Sequence, residues 1–208
     1  MLQTQAVDPI ILELLKNLQR KEYLQGFHLV GGTALALKFG YRKSVDIDLF
    51  SDFNFDTSQI LEKLSFDFSF TLYFSATNTI KGSINKVQVD IIAHRYPLVK
   101  EPELLENISM LSVEDILAMK LNAIATSGQR VKDFIDLYYL LQKYSLFEMI
   151  TFYKKKYKRF NEVNILKSIN YFNDVDLTGW PVLLKDPALK WNEVKKRINK
   201  ATIDFIKT

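Results

Sequence analysis

The sequence predicts an α/β (α+β) head with a mixed sheet, followed by a helical C-terminal region, and three observations carry that expectation. Over the first hundred residues, short apolar runs that end in turn residues alternate with segments of helical period. Two consecutive β-rich runs, 66–76 and 80–92, are broken by Asn78 and by Lys81-Gly82, which calls for hairpin-connected strands and hence a mixed sheet. After Pro97 and Pro102 the pattern is helical for the rest of the chain. The expected division is a head over residues 1–100 and a helical region over 101–208, packed on the head.

Ile10, Ile11, Leu14, Leu15 and Leu18 recur at helical spacing and predict a first helix over about residues 8–24, ended by Gly26. Phe27 to Val30 reads as a short strand that stops at Gly31-Gly32, and Thr33 to Phe39 as a compact helix closed by Gly40. Val45 to Phe50 alternates apolar and acidic residues, as a strand with one polar face does. Thr57 to Leu64 predicts a helix capped by Thr57 or Ser58. Beyond the two β-rich runs, helices are expected near 112–127, 131–143, 146–159, 162–171 and 188–206.

The 208 residues contain no cysteine, 48% apolar and 25% charged residues and only seven glycines and five prolines, which excludes disordered, collagenous and disulfide-framework classes. A chain of this length folds without metal or disulfide staples, so a bound metal would serve chemistry. No apolar run approaches the ~18 residues of a membrane span. Asp8 and Glu13 lie where a secretory leader would be basic and then apolar, so a soluble cytoplasmic protein is expected. The net charge of +4 hides an asymmetry: residues 1–148 hold 15 basic and 18 acidic side chains, a balance of −3, whereas 149–208 hold 13 and 6, a balance of +7. A basic C-terminal segment suits a polyanion such as RNA. The alternative is that Lys154, Lys155, Lys156, Lys158 and Arg159 form a solvated helix face.

Three places concentrate chemistry. Gly31-Gly32-Thr33 lies between a strand and a helix, where absent Cβ atoms and unpaired amides admit a phosphate; a tight turn needing glycine dihedrals is the plainer explanation. Asp46 and Asp48, two apart on a strand, share a face, and such a pair either stays solvated or needs a cation, for which oxygen ligands favour Mg²⁺ or Mn²⁺. Val45, Ile47 and Leu49 are expected to fill the opposite face. Asp90, amid β-branched residues, is either a structural ion-pair partner or, if its strand lies beside that of Asp46, a third converging carboxylate suited to a two-metal site. Lys120 interrupts the apolar stripe Val113, Ile116, Leu117, Leu121, Ile124 and is a phosphate ligand or a snorkelling side chain. Asp133 and Asp136 are neighbours in the first turns of the next helix, where acids also suit the helix dipole.

The strings HLVGGTALALKFGYRKSVDIDLF, VQVDII and SVEDILAMKLNAIATSGQRVKDFIDLYYLL, in that order, resemble the AbiEii/AbiGii toxin family of nucleotidyltransferases within the DNA polymerase β-like superfamily. The resemblance spans about residues 20–145. It implies a mixed-sheet nucleotidyltransferase head with a helical C-terminal region, and Mg²⁺-dependent transfer of a nucleotidyl group from an NTP. It also implies the toxin role of a bacterial toxin–antitoxin or abortive-infection pair, with tRNA ends as acceptors for some relatives and an antitoxin as partner. Residue by residue, Gly31, Gly32 and Thr33 match the triphosphate-binding turn, Arg42 and Ser44 the basic and small positions before the acids, and Asp46 and Asp48 the metal-binding acids. Asp90 matches the third carboxylate, Lys120 the lysine of the helical motif with Asp115 before it, and Asp133 the acid after Arg130 and Lys132. Thr33 departs from the serine frequent in the superfamily, and nothing beyond residue 145 matches.

The reading that follows gives Asp46, Asp48 and Asp90 to the metal ions, Gly31 to Thr33 to the phosphates, and Lys120, assisted by Arg42, to transition-state charge. Asp133 either orients Lys120 or binds nucleotide. The competing reading is a nucleotide-binding module that docks an antitoxin or RNA without turnover. On these grounds Lys120→Met should lower turnover with little effect on stability, and neutralising Lys154, Lys155, Lys156 and Lys158 should weaken RNA binding alone.

Overall fold

In the computed structural model, which describes residues 1–158 and 161–207, Asp8 opens α1 (Pro9–Gln19) by accepting a hydrogen bond from the Ile10 amide. Pro9 occupies the first turn, where its missing N–H leaves nothing unsatisfied. Ile11, Leu14, Leu15 and Leu18 form the buried stripe, while Ile10 is exposed. The helix ends earlier than its periodicity suggests, and a separate 3₁₀ turn covers Glu22–Leu24. β1 (His28–Leu29) runs into α2 (Gly31–Phe39), so the glycine pair forms the first turn of the helix rather than a loop preceding it. β2 (Ile47–Ser51) buries Ile47 and Leu49, but Val45 precedes the strand and is exposed, so the apolar face is shorter than expected.

α3 (Thr57–Asp67) is capped by Asp56, whose carboxylate accepts the Gln59 amide, rather than by Thr57 or Ser58. β3 (Phe70–Ala76), β4 (Thr79–Ile84) and β5 (Val87–Ala93) form an antiparallel meander. Asn78 makes the first turn as expected, but the second lies at Asn85-Lys86, both left-handed. Lys81-Gly82 instead lies inside β4, and Gly82 is needed there because a Cβ would stand 2.3 Å from the Thr71 carbonyl oxygen. β6 (Glu103–Leu105) and β7 (Ile108–Met110) form a further hairpin where helix was expected, turned through left-handed Glu106 and Asn107. Both strands are short, which is why periodicity does not register them.

The seven strands form one mixed sheet in the order β3-β4-β5-β2-β1-β7-β6. β2 is parallel to β5 and β1 to β7; the other pairs are antiparallel. This sheet belongs to a unit comprising residues 1–96 and 101–111, whose core includes Leu15, Leu29, Leu35, Ile47, Leu49, Val89 and Ile91.

The second unit comprises residues 97–100 and 112–208. It contains α4 (Val113–Thr126), α5 (Val131–Leu140), α6 (Leu146–Lys156), α7 (Glu162–Ile169) and α8 (Trp191–Ile206). α5 buries nearly every side chain, as a helix surrounded by others must. Phe134, Phe172 and Trp191 make mutual ring contacts beside it. α6 starts with a complete capping box between Ser145 and Glu148. The expected extension of this helix to residue 159 fails at Lys156, and Arg159 lies outside the described residues.

Of the lysines of that helix Lys154 and Lys155 are exposed and Lys156 is buried, so the basic run is not one solvated face. Met149, Ile150, Tyr153 and Lys156 share its buried side. The Lys156 ammonium meets the Asp115 carboxylate at 2.6 Å, with both residues essentially inaccessible. Lys155 donates to the Val99 carbonyl at 2.6 Å, and Lys154 pairs with Glu162 at 2.8 Å. Neutralising these lysines together would therefore remove structure, which corrects the expectation that only RNA binding would respond. No helix among the described residues is long and apolar enough to cross a membrane.

Candidate active site

The polar residues of the head gather where β2 and β5 run side by side. Their parallel register sets Asp48 directly opposite Asp90, with Ile47 opposite Val89 and Leu49 opposite Ile91. Alternation then puts both apolar pairs into the core and leaves the two carboxylates on the other face, half-exposed. One strand further, β4 sets Lys81 opposite Asp90, and their side chains pair at 2.8 Å. A row Lys81–Asp90–Asp48 thus crosses three strands. Asp46 immediately precedes β2 and is also half-exposed, so the strand face expected to carry both Asp46 and Asp48 carries Asp48 alone.

On the far side of Asp48 stands the first turn of α2. Gly31 adopts φ +69°, and a Cβ on it would lie 2.3 Å from Asp48 Oδ2. A Cβ on Gly32 would lie 2.2 Å from an Arg42 guanidinium nitrogen. The two glycines are therefore spaces occupied by an acid and a base, respectively. Arg42 is buried and also donates to the Lys43 carbonyl at 2.9 Å. Thr33 and Ser44, both buried, have hydroxyls 2.9 Å apart, and the Thr33 hydroxyl also hydrogen-bonds the Asp46 carbonyl oxygen. These bonds tie the segment bearing Asp46 to α2. The Val30 amide ties Asp48's own carbonyl to the same helix entrance at 2.9 Å.

Gly31→Ala is expected to destabilise the head by about 1–2 kcal/mol through its left-handed backbone alone. Its larger effect should be on the site, because the Asp48 carboxylate must swing away to admit the methyl group. Thermal melts and nucleotide titrations separate the two; unchanged nucleotide affinity in this variant would remove Gly31 from the site.

The donor set of the head is oxygen only, which suits Mg²⁺ or Mn²⁺. Among the described residues, however, no three histidine or acidic side chains are already gathered around one point. The strand pairing brings Asp48 and Asp90 together as the sequence suggests, yet Asp90 faces Lys81, and a ready-made three-carboxylate cage is not formed. Such a site fits Mg²⁺ in its usual mode, held by one or two carboxylates and completed by substrate phosphates and water.

Within the second unit the other candidates form a buried cluster. Lys120 neither snorkels nor presents an uncompensated charge: its ammonium lies 2.7 Å from both Asp133 Oδ1 and Asp136 Oδ2, and all three residues are buried. Arg130, largely exposed, closes on Asp133 Oδ2 through Nε at 3.0 Å. Two cations and two carboxylates form a neutral network, which a low-dielectric interior requires. Asp136, inaccessible to solvent, is as much a part of it as Asp133. The signal for it is present in the sequence as two acids at i, i+3 on an otherwise apolar helix. Lys120→Met would strand two buried carboxylates and is expected to cost about 3–5 kcal/mol of stability, which replaces the expectation of a small effect. A melt within about 2 °C of the parent, less than 1 kcal/mol for a chain of this size, would contradict the network. Asp115, five residues before Lys120 in the family motif, pairs with Lys156 at 2.6 Å.

A family model described as nucleotidyl transferase AbiEii toxin, type IV TA system, matches residues 13–102 and 67–205. The likeness therefore continues through the C-terminal helices, past residue 145, where the sequence motifs stop. An uncharacterized protein of Aquifex aeolicus (strain VF5) is 30% identical over 189 residues, covering 86% of this chain and 88% of its own. Among solved structures, MenT4, a nucleotidyltransferase toxin of Mycobacterium tuberculosis H37Rv, superposes with a TM-score of 0.61 at 15% identity over 94% of this chain and 84% of that one. JHP933 from Helicobacter pylori gives 0.51 at 17% identity over 97% and 95%. These two likenesses are likenesses of fold.

Proposed function

The chain belongs to the AbiEii nucleotidyltransferase toxin family, and from that premise we propose that its head binds an NTP with Mg²⁺ or Mn²⁺ and transfers the nucleotidyl group to a hydroxyl acceptor, releasing pyrophosphate. The observation that carries this reading is the register that sets Asp48 opposite Asp90 beside the glycine turn of α2. In this reading the backbone of Gly31 and Gly32, at the positive end of α2, receives the β- and γ-phosphates. Arg42, held against Gly32, adds a fixed positive charge there, and Thr33 and Ser44 keep the turn and the Asp46 segment in register. Asp46, Asp48 and Asp90 are the metal ligands, with Lys81 holding Asp90 until the ion arrives. The ion, when bound, would lower the acceptor hydroxyl's pKa and neutralise phosphate charge. Lys120 and Asp133 act as one unit in which the lysine fixes the carboxylate's direction. The acceptor is an RNA, with tRNA the first to try, the cellular setting is the cytoplasm, and an antitoxin is the antagonist.

The test is incubation with each radiolabelled NTP, total RNA and either Mg²⁺ or EDTA, alongside calorimetric titrations. Label should appear in one RNA class and only with the divalent ion. Because the site lacks a preassembled cage, Mg²⁺ alone should bind weakly, and adding it should tighten NTP binding at least roughly tenfold. Metal-dependent NTP binding without transfer to any acceptor would instead make the head a docking module.

A further inference from the structure

We propose that the second unit carries a binding site for one nucleotide of a single-stranded RNA, in a cavity of about 600 Å³ between the end of α4 and the end of α7. The inference rests on the reading of a nucleic acid acceptor and adds a place where that acceptor is held. The volume is within the range of small-ligand sites. The cavity is lined by Ile124, Ser127, Lys167, Ser168, Tyr171 and Asp174, among others. Ile124 is buried and supplies an apolar floor, while Tyr171 is 51% exposed at the rim. A half-exposed aromatic over an apolar floor is a stacking surface for a base. The Ser127 and Ser168 hydroxyls can donate to or accept from a base edge, and the Asp174 carboxylate, which accepts from the Tyr171 hydroxyl at 3.4 Å, can accept from a base amino group. Lys167 supplies a cation for the adjoining phosphate.

The surrounding charge favours a strand of RNA over a free nucleotide. α8 is fixed to the cavity wall by Asn170, whose Nδ2 donates to Thr202 Oγ1 at 2.8 Å and to the Leu166 carbonyl at 2.7 Å. On the same two helices Lys167, Lys196 and Lys200 are exposed, and none has an ion-pair partner among the described residues. Lys196 and Lys200 are neighbours at i, i+4, a like-charge pair that an isolated helix disfavours and a phosphate chain would neutralise. By contrast Lys154, Lys155 and Lys156 are committed to Glu162, Val99 and Asp115, and Arg197 covers the Tyr138 ring at 4.8 Å. Lys158, Lys185, Lys190, Lys195 and Lys207 are likewise without an ion-pair partner among the described residues, so the basic surplus available to a partner is spread over the second unit, as suits a polyanion, and Lys167 is the part of it that lines the cavity.

The experiment measures fluorescence anisotropy of 5′-labelled decamers of oligo(A), oligo(C) and oligo(U), as RNA and as DNA, against the full chain without NTP or divalent ion. At least one RNA decamer should bind, more tightly than its DNA counterpart. Tyr171→Ala should weaken it roughly tenfold or more, and Lys167→Gln should reduce the log–log salt slope by about 0.7. Both side chains are exposed, and melts matching the parent's establish that the variants fold. Mg²⁺-NTP binding should be unchanged in both variants. Absence of binding by the parent, or parent-like binding by both folded variants, overturns the site; equal DNA binding overturns its assignment to RNA. Loss of NTP binding in Tyr171→Ala would make the cavity a mononucleotide site and overturn the proposal equally. If the parent binds no NTP while Tyr171→Ala still loses RNA, the cavity stands and the reading of the head fails.

Discussion

Asp48→Asn should lower kcat about 10³-fold while leaving the melting temperature within about 2 °C of the parent. The substitution keeps the side chain's shape and one acceptor oxygen, so packing against the α2 entrance survives. What it removes is the charge that, in the proposed reading, would hold a hard cation. Metal ions supply several kcal/mol of transition-state charge stabilisation, and each ~1.36 kcal/mol is a factor of ten in rate. The stability cost should be small, because Asp48 and Asp90 are like charges directly opposed on neighbouring strands, and relieving that repulsion offsets the loss of Asp48's own attractive contacts. Two measurements check this, label transfer under saturating Mg²⁺-NTP and a melt in EDTA. Activity within about tenfold of the parent removes Asp48 from the metal site, and a melt far below the parent identifies it as a structural ion-pair member.

Lys156→Met should cost about 3–5 kcal/mol of stability, or roughly 10 °C for a chain of this size. Methionine fills the volume but leaves the Asp115 carboxylate buried with hydrogen bonds only from Ser112 and the Val99 and Lys100 amides. Burial, the largest single influence on Asp115, raises its pKa, but Lys156, Ser112 and those amides together outweigh it and hold the carboxyl below its ordinary range. A folded-state pKa below the unfolded one stabilises above the unfolded value, about 4, and the contribution disappears as pH falls through the folded value. Parent stability should therefore decline below about pH 4, and the variant should show less of that acid-linked loss. A double variant with Asp115→Asn should recover part of the stability, since a neutral amide removes the stranded charge. A Lys156→Met melt close to the parent's would show that the pair contributes nothing.

Much of the site is legible in the amino-acid sequence. Gly31, Gly32, Asp46, Asp48 and Asp90 carry local signals: glycines at a strand-to-helix junction, acids alternating with core residues, and an acid amid β-branched neighbours. Less legible are the partners. Lys81 lies in what reads as a turn, yet pairs with Asp90 because Gly82 lets β4 continue past the Thr71 carbonyl. Lys156 sits in a basic run and looks like surface, although its spacing from Met149, Ile150 and Tyr153 places it on their buried side. Lys120 stands out as an anomaly on a core face, but nothing local marks it as one cation shared by Asp133 and Asp136.

By itself the sequence determined the alternation of strands and helices, the glycine junction and the run of helices from residue 112 onward, because periods of about 2.0 and 3.6 residues and glycine sterics act over a few neighbours. Only the tertiary structure decided that β2 pairs with β5 so that Asp48 meets Asp90, that the 103–110 hairpin joins the sheet, and which lysines are taken by buried carboxylates. Those outcomes depend on residues far apart in the chain, 41 positions for Asp115 with Lys156, 42 for Asp48 with Asp90 and 81 for Leu29 with Met110. No local pattern reports which distant charge will offset the desolvation of a buried one; that balance exists only once the chain has closed around both.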